Sequence, residues 1–537
     1  MSNIVRGTML LTGASFLSKF LGMIYLIPFN ALVGETGGTL YGYAYTPYSI
    51  FISLATVGIP MAVSKFVSRY NALGDYETGI RMFKAGSILM TITGILAFLV
   101  LFLSAGTLAD WMITNDDASA ITSADVAFVI RMVSFALLII PVMSIVRGFF
   151  QGYNSMGPTA VSQVVEQIVR IGFILVGAYI ILEWFGGSIV TAVGFSTFAA
   201  FIGALASCFV LWIYFQKRKT YIRRQLESQT YSHDISVKDL FFELFRYAGP
   251  FVVVGLAIPI YQLVDQFTFE RAMVASGRGD EWVVAYAAVN VYGHKIVVIP
   301  MTIATGLSLS MIPAVTDAFT KKNMEQVTNQ INQALQIVLV LVIPAAVGIA
   351  MLSSEAYGSL YGMKNIDITG NLLAWYAPVV LFFALFSVTS SILQGINQQR
   401  FAVYSLFCGV FVKVLFNIQL IHIFGAKGAI FGTMLASGIA VALNLWRIRK
   451  AADFSYKQIV KRTALIGIFI VIMCLVIWIC KLIVGIFVPF EETRWGAIVM
   501  LAIGVIAGGY VYLWLAYKST LLERIFGSRV YLLDRFF

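Results

Sequence analysis

The chain has 537 residues, of which 59% are hydrophobic and 12% charged, and its mean hydropathy is +0.87. Soluble globular domains carry about 25% charged residues, so this composition excludes that class and indicates a polytopic membrane protein. The formal net charge is +11, but no nucleic-acid-binding module accompanies it. We therefore interpret the basic excess as an anchoring and orientation signal at anionic membrane lipids, with no nucleic-acid partner.

Apolar stretches follow one another along almost the whole chain. A transmembrane helix needs about 20 apolar residues to cross roughly 30 Å of hydrocarbon. The first stretch is longer than a signal-peptide core and lacks a small-x-small cleavage site, so we retain it as a helix. The sequence thus predicts an all-α integral membrane protein with fourteen transmembrane helices, at 8–33, 41–64, 82–105, 126–150, 158–183, 189–215, 244–269, 283–315, 328–352, 372–395, 401–424, 426–448, 463–488 and 495–517.

The longest polar interruption is a basic segment at residues 216–243, after the sixth span. A connector at that point predicts two six-helix halves, residues 1–215 and 244–448. Residues 449–537 then form two additional helices and a tail. We expect the tail to be cytoplasmic.

Short matches between the two halves support an internal repeat. Residues 151–154, Gln-Gly-Tyr-Asn, return as Gln-Gly-Ile-Asn at 394–397, and at the same offset of 243 Arg170 matches Lys413. Six helices separate equivalent positions, and this even number preserves their direction through the membrane. The halves are therefore expected to be related by a pseudo-two-fold axis along the membrane normal.

The distribution of lysine and arginine predicts the orientation. With both termini on one side, the loops and tails of that side hold 26 of these residues and the opposite loops only six. Positively charged loops remain on the inner side, so both termini are expected to be cytoplasmic. The six outer residues are Arg271, Arg278, Lys364, Lys427, Lys481 and Arg494.

Charged side chains within the spans mark where function is expected, because an intramembrane charge costs a few kcal/mol unless it faces a partner or a cavity. Lys19 is about 16 Å into the first span, near the midplane, and Lys295 is similarly deep in the eighth. We expect both to face a cavity. Five of the seven charges are basic, which favours an anionic ligand; the seven are Lys19, Arg131, Glu166, Arg170, Asp265, Lys295 and Lys413.

The remaining five charges carry different expectations. Asp265 is a candidate counterion for the eighth-span lysine, a cation ligand or a proton acceptor. Glu166 and Arg170 are four residues apart, the spacing of a paired charge on one helix face. Lys413 has no acidic neighbour on its own helix and needs a partner from another span or an aqueous cavity, whereas Arg131 is close enough to the outer surface to snorkel.

The sequence has none of the residue patterns that are typical of enzyme active sites. The three histidines are not spaced for a metal site or a catalytic triad, and no Walker-type phosphate loop is present. We therefore expect a transporter rather than an enzyme, without a cofactor. Its energy would come from an ion gradient, the membrane potential or the gradient of its substrate.

At this point the chain resembles the lipid-linked oligosaccharide flippases of the MOP superfamily, particularly the MurJ-like lipid II flippases of Gram-positive type. It is also similar to the stage V sporulation protein B and polysaccharide-export relatives. The resemblance covers nearly the whole chain. It is most specific at Leu-Ser-Lys-Phe-Leu-Gly (residues 17–22), at Tyr-Gly-His-Lys (292–295) followed by Pro300, and at Val264-Asp265.

The resemblance implies that Lys19 and Lys295 bind the pyrophosphate of an undecaprenyl-linked precursor, in positions where family members typically carry arginines. It also marks two departures, because Tyr25 and the region of Ser53 stand where the family often has further arginines. In some relatives the seventh-helix aspartate helps to bind sodium, so the resemblance makes Asp265 a candidate sodium ligand. We assign Asp265, Glu166, Arg170, Lys413, Tyr25 and Ser53 to the polar lining of the cavity.

These inferences predict a flippase that moves lipid II from the inner to the outer leaflet by alternating access, in the bacterial cytoplasmic membrane. The alternatives are a flippase for teichoic-acid or capsule precursors and a MATE-type drug exporter. Cationic drugs would favour an acidic cavity, so the basic interior argues against the exporter. Coupling to sodium or protons, and contact with the cell-wall synthesis machinery, remain open.

Overall fold

The computed structural model describes residues 3–56, 59–114, 120–153, 155–227, 229 and 252–526. Within these ranges the chain is nearly all helical and has no β-strand. Twelve helical segments of the described chain are long and apolar enough to cross a bilayer. The prediction of an all-α membrane architecture is therefore confirmed.

The chain forms two compact units, Met1–Phe267 and Thr268–Phe537. Among its described residues, unit 1 contains eight helices and the first part of a ninth. A π-helical turn at Ile180–Trp184 ends the seventh helix. The helices are α1 (Asn3–Ile24), α2 (Leu26–Thr56), α3 (Ile59–Ala72), α4 (Tyr76–Met112), α5 (Ser123–Ser134), α6 (Ala136–Gly152), α7 (Met156–Tyr179), α8 (Ile189–Glu227) and α9 (Ala257–Ala275).

Unit 2 begins within α9 and holds the remaining helices. A second π-helical segment, Ala287–Tyr292, joins its first short helix to the next. These helices are α10 (Trp282–Tyr286), α11 (Gly293–Thr320), α12 (Met324–Met351), α13 (Ser353–Tyr361), α14 (Ile366–Tyr376), α15 (Val379–Gly395), α16 (Gln399–Phe424), α17 (Ala426–Ala452), α18 (Lys457–Phe487), α19 (Arg494–Lys518) and α20 (Leu521–Phe526).

The observed segments correspond to the predicted spans, with two differences. The first segment, Gly13–Leu54, is 42 residues long and takes in most of the first predicted span and more than half of the second. It is broken at Gly34, whose φ of 62° and ψ of −165° are not helical, next to the predicted end of the first span. The seventh predicted span, 244–269, lies partly outside the described residues.

The predicted connector and domain boundaries are only partly covered by the structure. Helix α8 continues to Glu227, so the first part of the predicted connector 216–243 is helical. Residues 230–243 lie outside the described residues, and the boundary at Phe267 comes from packing alone. The division into halves by sequence position therefore stays a prediction, as does the symmetry axis.

Helix boundaries repeat between the two units. Helices α14, α15 and α16 begin 243 residues after α5, α6 and α7 respectively, the offset found in the sequence. Helices α6 and α15 both have 17 residues. In each unit this helix packs closely on an earlier one through its last glycine. A Cβ atom on Gly152 would lie 2.8 Å from Val67 of α3, and one on Gly395 would lie 2.8 Å from Val315 of α11.

Large apolar side chains are exposed along the last two long helices, α18 and α19. Phe487 is 79% exposed, and Trp495 and Ile506 are 78% and 70% exposed. Exposed apolar surface on this scale is characteristic of a face that meets lipid chains. Together with the twelve apolar segments, it shows that this is a multi-span membrane protein.

Candidate functional site

Helix α7 organises the polar groups of unit 1 because it carries them on two different faces. Gln163, Gln167 and Arg170 follow a spacing of four and three residues and line one face, whereas Ser162 and Glu166 line another. The first face meets α1 and α2, as the contacts below show. The second meets α6 and α8.

Helix α1 is fixed against the first face of α7 by its serines. The hydroxyl of Ser15 donates to the side-chain oxygen of Gln163 at 3.2 Å, and that of Ser18 donates to the Gln163 carbonyl at 3.1 Å. One turn further along, Gly22 lies so close to Gln167 that an added Cβ atom would be 2.9 Å from its amide nitrogen. Because these contacts advance together along both helices, α1 and α7 run parallel.

Lys19 follows Ser18 directly, so these contacts determine where it lies on α1. Its side chain is exposed and therefore accessible to a ligand. The described residues form no ion pair with it. Its predicted role in pyrophosphate binding is compatible with this environment and stays a prediction.

The predicted ion pair between Glu166 and Arg170 is wrong. Glu166 instead pairs with Arg147 of α6, with 2.7 Å between Oε2 and Nη2. The same guanidinium donates to Ser162 at 3.0 Å and to Ser207 of α8 at 2.8 Å. Arg147 is one of the 26 basic residues assigned to the inner side, although it lies within the predicted span 126–150, and its position in the apolar run of residues 137–150 was a signal of burial. The tertiary contact between α6 and α7 decided the pairing.

Arg170 is held by tyrosines instead of an acid. Its Nη2 donates to the hydroxyls of Tyr45 and, at 3.4 Å, of Tyr41, both on α2. The guanidinium also lies over the Tyr45 ring, with its carbon 5.1 Å from the ring centroid. Tyr45 stacks on Tyr41 at 4.3 Å, and Tyr41 shares a hydrogen bond of 2.7 Å with Tyr25. The four-residue spacing of Tyr41 and Tyr45 was the sequence signal for this cluster, which the sequence analysis missed.

The two arginines of this region therefore differ in electrostatics. A full countercharge about 4 Å away contributes roughly 4 kcal/mol at an effective dielectric constant near 20. Arg147 receives such a contribution from Glu166, whereas the described contacts of Arg170 are all to neutral groups. Unit 1 thus holds one neutralised guanidinium and one that retains its positive field.

Lys295 of unit 2 is half-buried and stands at the start of α11, immediately after the π-helical segment. Such π-helical turns are frequent at functional sites because they shift the register of neighbouring side chains. The preceding residue, His294, forms a hydrogen bond of 2.8 Å through Nδ1 with the hydroxyl of Tyr376 on α14. This bond fixes the first turn of α11, on which Lys295 lies.

Lys413, the counterpart of Arg170 in unit 2, is fully buried. Its ammonium donates to the hydroxyl of Thr433 on α17 at 2.8 Å, which supplies the partner that its own helix lacks. Thr433 donates onward to the Ala429 carbonyl, and Ser437 donates to the Thr433 carbonyl. The two counterpart cations therefore lie in different surroundings.

Asp265 is buried on α9, and the adjacent Gln266 is fully buried and donates to the Gly42 carbonyl at 2.9 Å. Glu270, a second fully buried acid on the same helix, was overlooked because it lies just past the predicted span. Hard cations prefer oxygen ligands, and the Gln266 Oε1 atom is buried without a hydrogen-bond partner in the described structure. No group of three or more His, Cys, Asp or Glu suited to a metal occurs in the described part of the chain. Sodium binding by Asp265 stays a prediction.

The remaining predicted residues have clear positions. Tyr25 is buried and bonded to Tyr41 as described, so it belongs to the Arg170 cluster. Ser53 is half-buried on α2. Arg131 of α5 is exposed, with its guanidinium carbon 6.0 Å from the Phe102 ring centroid of α4, in keeping with a peripheral position.

Comparison with known proteins identifies the family to which this arrangement belongs. The polysaccharide biosynthesis protein family matches residues 4–319, and the MatE family matches residues 250–419. The chain is 45% identical over 531 residues to the lipid II flippase MurJ of Bacillus subtilis strain 168, covering 98% of each protein.

Solved structures show the same fold. A lipid II flippase MurJ in an inward closed conformation matches with a TM-score of 0.67 and 16% identity, over 96% of this chain and 99% of the other. An inward-facing multidrug resistance MATE family transporter of the MOP superfamily matches with a TM-score of 0.63 and 17% identity, over 81% and 96%. Because a family match covers more than half of the chain and the 45% identity spans nearly all of it, the chain belongs to the polysaccharide biosynthesis protein family and is a MurJ-like member of the MOP superfamily.

Proposed function

We propose that this protein is a flippase that carries lipid II, an undecaprenyl-pyrophosphate-linked peptidoglycan precursor, from the inner to the outer leaflet by alternating access. The observation that carries this proposal is the 45% identity to the B. subtilis lipid II flippase MurJ over 98% of both chains. That relative is named as a transporter, and we accordingly assign this chain no enzymatic activity.

The charges within the spans support an anionic cargo. We propose that Lys19 and Lys295 bind the pyrophosphate. Hydrogen bonds between an ammonium and a phosphate oxygen are about twice as strong as neutral ones, and they offset the cost of removing both charges from water. Lys19 is exposed and therefore accessible to such a ligand.

The alternatives are less well supported. A lipid-linked teichoic-acid or capsule precursor carries the same pyrophosphate, so the lysines alone do not select the sugar, and the 45% identity favours lipid II. The MatE family matches residues 250–419, less than half of the chain, and the MATE structure is similar in fold at 17% identity. A cationic drug would meet an uncompensated Arg170 in unit 1, which disfavours it.

The proposal also covers the membrane in which the protein lies, its orientation, its coupling ion and its partners. We propose the cytoplasmic membrane as the location, with both termini on the cytoplasmic side, because the basic residues concentrate in the loops of that side. Coupling to sodium or protons through Asp265 and association with the cell-wall synthesis machinery are further proposals.

The test is functional replacement of the resident lipid II flippase in a bacterial strain depleted of it. The wild-type chain is expected to restore growth, and lipid II should become accessible to an external probe within the time of the assay. Lys19→Ala and Lys295→Ala are each expected to lower the rate of lipid II exposure about tenfold or more, as loss of a charge-assisted contact predicts.

Lys321→Ala is the matched control, because Lys321 is an exposed lysine paired with Asp317 at the end of α11. It is expected to leave the rate unchanged. Full activity of both cavity-lysine variants at equal expression would contradict the pyrophosphate assignment. Failure of the wild-type chain to expose lipid II would overturn the flippase itself.

A further inference from the structure

One positive charge of unit 1 is held in place without being neutralised by the described residues. Arg170 contacts a cluster of four tyrosines, Tyr25, Tyr41, Tyr45 and Tyr48, which we call the tyrosine cage. Tyr41 and Tyr45 touch the guanidinium directly. Tyr25 braces Tyr41 through the hydrogen bond of 2.7 Å, and Tyr48 packs edge-on against Tyr45 at 5.4 Å.

The tyrosine cage orients the guanidinium but leaves donors open. Both described hydrogen bonds of Arg170 come from Nη2. Its Nε atom is buried and has no partner within the described chain. A guanidinium has five N–H donors in a rigid fork that matches the oxygens of a phosphate. The remaining donors of Arg170 are therefore preorganised for an anion.

Arg147, in the same unit, is an arginine whose guanidinium is neutralised by a carboxylate. Its guanidinium binds the Glu166 carboxylate and two serine hydroxyls, through Nε as well as Nη2. Arg170 lies on α7, and Arg147 contacts α7 from α6. Of the two, only Arg147 has a carboxylate partner in the described structure. The difference points to a ligand for Arg170 that supplies the missing negative charge.

Arg170 and Lys19 lie at different depths along the parallel helices α1 and α7. Helices α1 and α7 are parallel, and Ser18 of α1 is level with Gln163 of α7. Arg170 is about seven residues beyond that level, or roughly 10 Å along the helix axis. With the amino terminus on the cytoplasmic side, Arg170 lies nearer the outer leaflet than Lys19.

We propose that Arg170, together with the hydroxyls of Tyr41 and Tyr45, binds a phosphate oxygen of the lipid-linked pyrophosphate at a second station on the outer side of Lys19. This inference rests on the proposed flippase function. The pyrophosphate would be bound first at Lys19 and then at Arg170 as the headgroup crosses. A series of two moderate sites lets an anion advance without being trapped at one.

The test measures binding of undecaprenyl pyrophosphate to the full-length protein in phosphatidylcholine nanodiscs. Arg170→Gln is expected to weaken binding about 10- to 100-fold, as the loss of charge-assisted hydrogen bonds predicts. Arg170→Lys keeps the charge without the fork and is expected to lie between this variant and the wild type. Tyr45→Phe, which removes one hydroxyl, is expected to weaken binding by a smaller factor.

Arg131→Gln is the matched control, because it removes one exposed arginine from the same unit. It is expected to bind like the wild type. Thermal melting of each variant separates binding from folding. Binding loss in Arg170→Gln at unchanged melting temperature supports the second station. Equal losses of binding and melting temperature in Arg170→Gln and Arg170→Lys would make Arg170 structural and overturn it.

Three further outcomes distinguish the possible errors. Inorganic pyrophosphate is tested alongside the lipid, and an effect of Arg170→Gln on the free anion alone would overturn the lipid assignment. Wild-type affinity of Arg170→Gln for the lipid, with lipid II transport intact in the wild-type chain, would overturn the second station and leave the proposed function standing. Failure of the wild-type chain to transport lipid II would instead overturn the proposed function.

Discussion

At the scale of single residues, the intramembrane charges differ in how they are compensated. Glu166 and Arg147 neutralise each other, Lys413 bonds to Thr433, and Arg170 is bound by tyrosines. A buried charge beside a group of opposite charge is neutralised by it, whereas a neutral hydrogen-bond partner leaves the field of the charge in place. Contacts between helices that are distant in sequence therefore distinguish charged side chains that the sequence alone does not distinguish.

The ion pair between Glu166 and Arg147 is expected to stabilise the fold. Glu166→Gln leaves the Arg147 guanidinium buried without its carboxylate, at a cost of about 3 kcal/mol in the free energy of unfolding. A clear fall in the melting temperature in nanodiscs is the expected result.

Glu227→Gln is its control. Glu227 forms an exposed four-residue-spaced pair with Arg223, and such pairs contribute only about 0.3–0.5 kcal/mol. Equal melting temperatures for Glu166→Gln and the wild type would show that the carboxylate is dispensable, and the structural assignment of the pair would fail.

At the scale of helices, the break in α2 follows from one residue. Gly34 has φ 62° and ψ −165°, a backbone conformation that is essentially restricted to glycine. It turns the chain between two hydrophobic segments that are otherwise continuous. The Tyr-rich segment of α2 that binds Arg170 comes after this break, so the break helps to set where the tyrosine cage lies.

Gly34→Ala is therefore expected to destabilise the protein by about 1–3 kcal/mol, the strain of a side chain in this conformation. Thermal melting measures the change. Gly157→Ala is the control, because an added Cβ there meets nothing within 4 Å and alanine favours the helix. If the two variants melted alike, the conformation of Gly34 would not be required.

At the scale of the whole molecule, two units with repeated helix boundaries form a multi-span membrane protein. The 243-residue offset found in two short motifs extends to the starts of three successive helices in each unit. Within unit 1, α1 and α7 belong to the first and fifth predicted spans, and spans whose positions differ by an even number cross the membrane in the same direction, in agreement with the parallel course of the two helices. The positive loops then predict the side on which each loop lies.

This topology is tested by labelling single cysteines in a variant whose four native cysteines are replaced by serine. Leu73→Cys, in the loop between α3 and α4, is expected to be protected from a membrane-impermeant maleimide on intact cells. Glu491→Cys, before α19, is expected to react. The reverse pattern would invert the topology and would also place Arg170 on the inner side of Lys19.

The sequence alone determined the class and the helices, and it predicted an anionic cargo. Length and hydropathy predict helices wherever about 20 apolar residues follow one another, because an unpaired backbone group in lipid costs several kcal/mol. The excess of lysine and arginine in the spans predicted an anionic ligand. These properties are local or additive, so they can be read without knowing which helices touch.

Only the tertiary structure decided the partners of each charge. Glu166 and Arg170 have the spacing of an ion pair on α7. However, Glu166 pairs with Arg147 on α6, and Arg170 donates to the tyrosines of α2. A helix surface offers each side chain several neighbours, and the packing of other helices selects among them. Ion pairs and hydrogen bonds across helices depend on that packing, which the spacing along one helix does not contain.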